Sequence, residues 1–305
     1  MHISPEDIQG ISRQLNESGE LALEPVLECE DHTVSRETFT LFRETKRDLL
    51  ITLPQPPADR LHRYYESEDY ISHTDSRRNL TEMLYQQVKG FSLKRKLSLV
   101  NRVCKDPRRL LDVGCGTGDF LKTCGESGWS VAGVEPNDGA RALAEKKMGS
   151  NRLYASLEDL VGSEEAKFDV ITLWHVLEHL PNLYEEIRRI KSLLKPEGSL
   201  ILAVPNYKSH DALHYGSFWA AYDVPRHLWH FSRSSVENIF SDFGMTIAQE
   251  LPLYFDSFYV SLLSEKYKHG KQRFLPAFYR GLRSNLLARD TGEYSSIIYC
   301  LKQHK

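Results

Sequence analysis

Between residues 105 and 251, apolar runs of strand length alternate with stretches whose apolar positions recur at helical spacing. Leu110–Val113, Trp129–Glu135, Phe168–Trp174, Ser199–Asn206 and Met245–Leu251 are the strand-like runs, with Asn151–Tyr154 a short one between the second and third. Leu183, Ile187, Ile190 and Leu194 form one helical stripe, and Val236, Ile239 and Phe240 another. Unbroken apolar strands separated by amphipathic helices predict a parallel sheet covered on both faces. Gly128, Gly149 and Gly244 stand where helix C-termini need a left-handed residue. Lys195-Pro196-Glu197-Gly198 reads as the turn into the fifth strand, and Ser295–Leu301 as the last strand.

The flanks follow a different pattern. Ile3–Leu15 predicts a short helix, with Ser4 as N-cap and Pro5 in its first turn. Thr38–Phe42 alternates and is rich in β-formers, and Asp48–Leu53 reads as a further strand. Pro54-Gln55-Pro56-Pro57 then breaks the chain. Asn79–Cys104 reads as a long helical region interrupted near Gly90. The expected organisation is a β-hairpin-like appendage over 1–60, a helical cap over 61–104, and an α/β domain over 105–305. Residues 253–294 interrupt that domain. Their mixture of aromatic and basic residues suggests a helical lid, which is also a candidate homodimer contact.

Composition narrows the classes. Of 305 residues, 41% are apolar, enough for one large domain with additions. Basic and acidic residues number 39 and 42, a net charge of −3 that leaves no electrostatic footprint for DNA or RNA. The five cysteines contain no C-x-x-C pair and read as reduced thiols of a cytoplasmic protein. Met1–Gly19 holds no apolar signal core, and no apolar run reaches the length of a membrane span.

The chemistry centres on Leu110-Leu111-Asp112-Val113-Gly114-Cys115-Gly116-Thr117-Gly118-Asp119-Phe120-Leu121. A strand, a glycine turn and a helix start make a nucleotide-type cradle, in which backbone can approach a ligand closely. The glycine spacing is G-x-G-x-G. A dinucleotide fingerprint, G-x-G-x-x-G, would place its third glycine at position 119, where Asp119 stands. Glu135 ends the second strand 21 residues after Gly114. An acid at that position accepts hydrogen bonds from ribose hydroxyls.

The stretch resembles motif I of the class I S-adenosylmethionine-dependent methyltransferases, (D/E)-x-G-x-G-x-G. Glu178-His179 after the fourth strand resembles the corresponding segment of the ubiquinone-biosynthesis O-methyltransferase group, and the Leu-Lys-Pro-Glu-Gly turn is common in the superfamily. The resemblance implies a Rossmann-like doubly wound seven-stranded sheet in the order 3-2-1-4-5-7-6, with the last strand antiparallel. It implies S-adenosyl-L-methionine as cofactor, bound by Asp112, Gly114, Cys115, Gly116, Gly118, Glu135, Pro136, Leu157, Glu158 and Trp174. A looser resemblance links residues 1–70 to the zinc-binding N-terminal segment of some sugar C-methyltransferases, through the Pro-rich turn and Tyr64-Tyr65-Glu66-Ser67-Glu68-Asp69-Tyr70. Only Cys29, with His32, remains of a four-ligand set, so no zinc is expected there.

Methyl transfer to an alcohol, phenol or carbon acid needs a base for the acceptor's proton, and histidine titrates in the useful range. His179, His227, His230 and then His175 are the candidates. Glu178 or Asp223 would orient such a histidine, Arg226 would bind an anionic group of the acceptor, and His73 with the upstream tyrosines would face substrate or cofactor. Each histidine taken singly is more ordinarily a packing residue. Glu178 and His179 are only two neighbouring ligands, so no metal site is assigned. The aromatic and histidine-rich stretch 207–232 is expected to face the acceptor. The resulting expectation is methyl transfer to a small-molecule or cell-envelope-precursor acceptor. The alternative is a non-catalytic S-adenosylmethionine-binding sensor or assembly protein. A nucleic-acid or protein acceptor is disfavoured by the balanced charge and by the lack of an Asn-Pro-Pro-Tyr-type motif after the fourth strand.

Overall fold

The computed structural model describes residues 4–15, 21–57, 60–65, 80–104, 108–149, 152–161 and 167–304. Ser67, Tyr70, His73, Asn79 and Asn151 lie outside them. Helix α1 (Pro5–Gln14) starts as its sequence dictates, with the Ser4 hydroxyl accepting from the Asp7 amide. Strands β1 (Leu23–Glu30), β2 (Thr38–Glu44) and β3 (Leu49–Leu53) follow. Strand β1 went unforeseen because its charges and Pro25 hide the alternation, and Cys29 is its one buried residue. Helix α2 (Leu80–Val103) runs through Gly90 without the expected interruption. A glycine inside a helix of 24 residues costs about 1 kcal/mol, too little to break it.

The α/β core comes next: β4 (Arg109–Val113), α3 (Asp119–Glu126), β5 (Ser130–Val134), α4 (Asp138–Met148), β6 (Leu153–Tyr154), α5 (Leu157–Val161) and β7 (Phe168–Trp174). Helix α6 (Leu183–Leu193) leads into β8 (Leu194–Pro205), which starts earlier than the expected turn allows. Gly198 has no room for a side chain there, since a Cβ would come within 2.7 Å of Leu194 Cδ1. The chain ends through α7 (His210–Tyr215), β9 (Trp229–His230), α8 (Arg233–Ser241), β10 (Met245–Pro252), α9 (Asp256–His269), α10 (Phe274–Thr291) and β11 (Ser296–Gln303).

Seven strands form one sheet in the order β10-β11-β8-β7-β4-β5-β6. Read from its other edge, this is the expected 3-2-1-4-5-7-6. β4 runs parallel to both neighbours, with Leu111 opposite Ala132 on one side and Ile171 on the other. These three residues are essentially inaccessible to solvent, as a sheet covered on both faces requires.

The chain divides into two compact units, residues 73–174, 186–202 and 300–305, and residues 1–72, 175–185 and 203–299. In the first, Phe120, Leu121 and Cys124 are the buried face of α3. Asp169 accepts from the Arg109 amide and the Lys195 ammonium. In the second, β1-β2-β3-β9 make a four-stranded sheet, Leu50 pairing with His230 and Ile51 with Trp229. The segment expected to be a separate appendage therefore shares a sheet with residues of the later chain. Its Cys29, Phe39, Leu41 and Leu50 form one apolar cluster with Tyr207, Tyr215, Trp219 and Tyr222. Most aromatics of the 207–232 stretch are thus buried in the core of this unit. The predicted helical insertion is α9 and α10, which cross closely: a Cβ on Gly281 would meet Phe258 Cα at 2.9 Å.

Candidate active site

The glycine turn joins β4 to α3. Gly114, Gly116 and Gly118 have φ of +69°, +54° and +78°, the left-handed region that side chains disfavour. Two of them serve different ends. A Cβ on Gly118 would lie 2.9 Å from Ala144 Cβ, so that glycine lets α4 pack against the turn. A Cβ on Gly116 would have no atom within 4 Å, so the backbone there borders open space. The Gly116 amide donates to Glu135 Oε2 at 2.9 Å, and the Asn137 amide donates to Oε1 at 2.9 Å. Two backbone donors thus hold the Glu135 carboxylate at the end of β5, beside Pro136.

Beneath the turn, Asp112 is buried and accepts from Thr172 Oγ1 at 2.6 Å. Burial pushes its carboxyl up to about 7, against the stabilising Thr172 bond. Cys115 is buried, and its thiol is raised well above the usual range by burial. Trp174 closes β7. Its indole Nε1 is buried without a hydrogen-bond partner, Phe120 meets it edge-on at 5.7 Å, and the Lys96 ammonium lies 4.5 Å from its ring centre. Leu157 is buried, whereas Glu158 is 80% exposed and pairs loosely with Arg189 at 3.6 Å. An exposed carboxylate beside a buried leucine suits a position that borders adenine, with Leu157 as the apolar contact.

S-adenosyl-L-methionine fits these residues. Its ribose hydroxyls are donors for Glu135, the turn leaves space beside Gly116, and Trp174 Nε1 is a buried donor without a protein acceptor.

The histidine candidates lie in the other unit. His175 follows Trp174 in the chain and takes a φ of +59°. Its Nε2 is 2.9 Å from Asp256 Oδ2, and its Nδ1 is 3.3 Å from Glu178 Oε1. Burial opposes a charge on this ring, but the two carboxylates outweigh it and raise the imidazole to about 10. The side chain is 36% exposed, so water screens part of that attraction. A tight turn, Leu177–His179, follows. It is braced by the Leu228 amide on the Glu178 carbonyl at 2.8 Å and by Trp229 Nε1 on the Leu180 carbonyl at 2.8 Å. Glu178 is 1% exposed, and neither carboxylate oxygen receives a hydrogen bond.

His179 and His227 face each other edge-on with ring centres 4.5 Å apart. His179 Nδ1 lies 3.0 Å from the Arg226 carbonyl and 3.0 Å from the Tyr65 hydroxyl. His227 Nδ1 lies 2.8 Å from the Ala221 carbonyl. A carbonyl only accepts, so this network assigns the proton to Nδ1 in both rings and the lone pair to Nε2. Burial and the neighbouring His227 lower His179 to about 4. His230 is committed elsewhere. Its Nε2 is 2.9 Å from Thr52 Oγ1, which donates onward to the His227 carbonyl, and burial drives its pKa well down.

Arg226, expected to bind an anion of the acceptor, is buried in a network within the protein. Its Nε and Nη2 reach Asp223 at 3.0 and 2.6 Å, Nη2 also reaches Asp31 at 3.1 Å, and Nη1 donates to the Tyr64 carbonyl at 2.9 Å. Asp223 is therefore held by Arg226 and lies 4.0 Å from His227 Nε2, too far to orient that ring by a hydrogen bond. Asp31, Thr52 and Asp256 escaped the sequence reading, whereas Tyr65 is among the tyrosines it expected to face substrate or cofactor. Of the three, only Asp31 carried a local signal, since Thr33, Val34 and Ser35 follow it in a turn whose amides its carboxylate accepts. Thr52 and Asp256 reach the histidines through the fold alone.

Residues 85–250 match the model of the methyltransferase domain family. The ubiquinone biosynthesis O-methyltransferase of Actinobacillus pleuropneumoniae serotype 7 (strain AP76) is 37% identical over 108 residues, 32% of this chain and 46% of that protein. The protein of the same name from Rhodopseudomonas palustris (strain HaA2) is 25% identical over 164 residues, covering 50% of this chain and 64% of its own. The chain thus spans about half the length of the curated relatives it matches first. Magnesium protoporphyrin IX methyltransferase from Synechocystis PCC 6803 with bound SAH aligns with a TM-score of 0.49 and 16% identity over 80% of this chain and 93% of that one. At that level the alignment adds nothing to the fold read from the sheet. On the family match, over more than half its length, the chain belongs to the methyltransferase domain family, whose cofactor is S-adenosyl-L-methionine.

Proposed function

We propose that this chain transfers a methyl group from S-adenosyl-L-methionine to a small-molecule acceptor, and that the acceptor's proton leaves at the cluster of Glu178, His179 and His227. The observation that carries the reading is the glycine turn, with its open flank at Gly116 and the Glu135 carboxylate held by two backbone amides. The cofactor supplies a methyl carbon already activated by a sulfonium, so the protein's own task is alignment and proton removal. Alignment alone is worth roughly 7–11 kcal/mol of a barrier.

Of the four histidines, two remain suited to take a proton. His175 holds its own between Asp256 and Glu178, and His230 spends Nε2 on Thr52. His179 and His227 each tie Nδ1 to a backbone carbonyl and leave Nε2 with its lone pair. Glu178, buried beside them, would stabilise the positive charge that develops on whichever ring accepts the proton. An oxygen acceptor is favoured by the likeness to ubiquinone biosynthesis O-methyltransferases.

The test is incubation with methyl-labelled S-adenosyl-L-methionine and fractionated metabolite extracts. Label in a small-molecule fraction, lost with His227→Ala, is the expected result. Tight cofactor binding with no transfer above that control would leave a binding protein in place of an enzyme.

A further inference from the structure

We propose that His210, His214, Lys268, Arg280 and Arg283 form a binding site for a phosphate or diphosphate group. All five belong to the unit that holds the helical insertion: the histidines to α7, Lys268 to α9 and the arginines to α10. The site goes beyond the proposed function and does not depend on it.

The fold gathers these residues. His210 and His214 are four apart on α7, and Arg280 and Arg283 are three apart on α10, so each pair shares a helix face. Ser284 Oγ donates to Asp211 Oδ1 at 2.6 Å, which sets His210 beside the turn of α10 that carries Arg283. The Tyr215 hydroxyl donates to Glu265 Oε1 at 3.2 Å, which sets His214 beside α9, where Lys268 follows Glu265 by three residues. The imidazoles feel the cations around them. Burial, then Arg283 and Arg280, hold His210 below its usual range, against Asp211. Burial, then Arg280, Lys268 and His210, do the same to His214, against Glu265.

The two facing carboxylates are already committed. Asp211 accepts from Trp219, Ser284 and Ser295, and Glu265 accepts from Tyr215 with His269 and Arg273 beside it. Among the described residues, Lys268, Arg280 and Arg283 have no carboxylate at ion-pair distance. His210 Nε2 is buried without a hydrogen-bond partner. A buried polar atom left so costs free energy, and like charges brought together disfavour one another. One bound dianion relieves both. Guanidinium forks match phosphate oxygens, and an imidazole N–H or an ammonium donates to those that remain. His210, His214 and Arg280 are half-buried, whereas Lys268 and Arg283 stand exposed at the rim, so a ligand reaches the cluster from solvent. The surrounding charge favours its approach. Residues 266–289 hold seven Lys and Arg and no Asp or Glu, in a chain whose net charge is −3. So compact a set suits one or two phosphates and not the long tract of a nucleic acid.

The experiment uses the full chain without an affinity tag. Inorganic pyrophosphate is titrated calorimetrically, and co-sedimentation is measured with phosphatidylcholine vesicles containing phosphatidic acid. Wild type is compared with Arg283→Gln, His210→Gln and Lys271→Gln, and circular dichroism checks each fold. Arg283 is exposed, so its loss leaves the packing of α10 intact. Lys271 is a cation of the same basic segment that lies outside the cluster. The expected result is one pyrophosphate per chain for wild type and Lys271→Gln, bound roughly tenfold or more weakly by the other two variants. Vesicle binding with the same pattern of losses and no pyrophosphate binding upholds the site and makes a lipid headgroup the source of the phosphate. Binding of neither probe overturns it. So does equal binding by all four proteins, or a loss in Lys271→Gln as large as that in Arg283→Gln.

Discussion

The glycine cradle and the histidine cluster are built in opposite ways. The cradle is contiguous: Gly114 to Gly118 is one turn, and Glu135 ends the adjacent strand. Its working groups are mostly backbone, and its glycines are needed for what they lack. The cluster is assembled from separated segments. Glu178 and His179 come from a turn after β7, and His227 comes from a loop before β9. Tyr65 and Asp256, which touch its edges, arrive from the N-terminal segment and from the insertion. A local backbone device can be read from spacing, whereas a side-chain constellation exists only once the chain has folded.

Gly116→Arg separates the two regions most sharply. It fills the one open flank of the cradle and places a side chain at a φ of +54°. Cofactor affinity should fall by more than ~100-fold, about 2.8 kcal/mol, while circular dichroism remains near wild type. His227→Ala is the converse: kcat should fall by roughly 10²–10⁴-fold, the usual worth of acid–base assistance. The calorimetric Kd for S-adenosyl-L-methionine should stay within about threefold, too small a change to count as a lost contact. A parallel loss of cofactor affinity would erase the distinction between the regions.

The same contrast explains what the sequence could tell. The glycine turn and the alternation of strands and helices were legible because they rest on local spacing and periodicity, whereas the strand order was implied by the family resemblance. The role of Arg226 was not, because an arginine near histidines looks alike whether it faces a ligand or a buried Asp31. Tyr207, Trp219 and Tyr222 were ambiguous for a related reason. An aromatic run reads equally as a pocket wall or as core, and here the N-terminal strands cover it. The contact of His179 with His227 was not legible because His227 stands 48 residues beyond His179.

Arg226→Met tests that correction. It strands Asp31 and Asp223 without their cation, and breaking a buried pair costs about 3–5 kcal/mol. Thermal or denaturant unfolding should show a loss of that order. A variant as stable as wild type would return Arg226 to the ligand-binding residues. The effect of Asp112 shows only as a change of stability with pH. Its folded pKa, about 7, lies above that of an unfolded aspartate, so between about pH 4 and 7 the folded state binds the extra proton. Stability from this group is then present below that window and lost as pH rises through it, by at most about 1.4 kcal/mol per pH unit. Asp112→Asn should flatten that slope in unfolding measured from pH 4.5 to 7.5, and an unchanged slope would show that Asp112 is ionised throughout.

The most direct test of the central claim is calorimetric titration of S-adenosyl-L-methionine and S-adenosylhomocysteine into wild type and Gly116→Arg. Micromolar binding of both by wild type, abolished in a folded variant, is the predicted result. Folded wild-type protein that binds neither would contradict the account, and the glycine turn would then be a structural connection between β4 and α3 only.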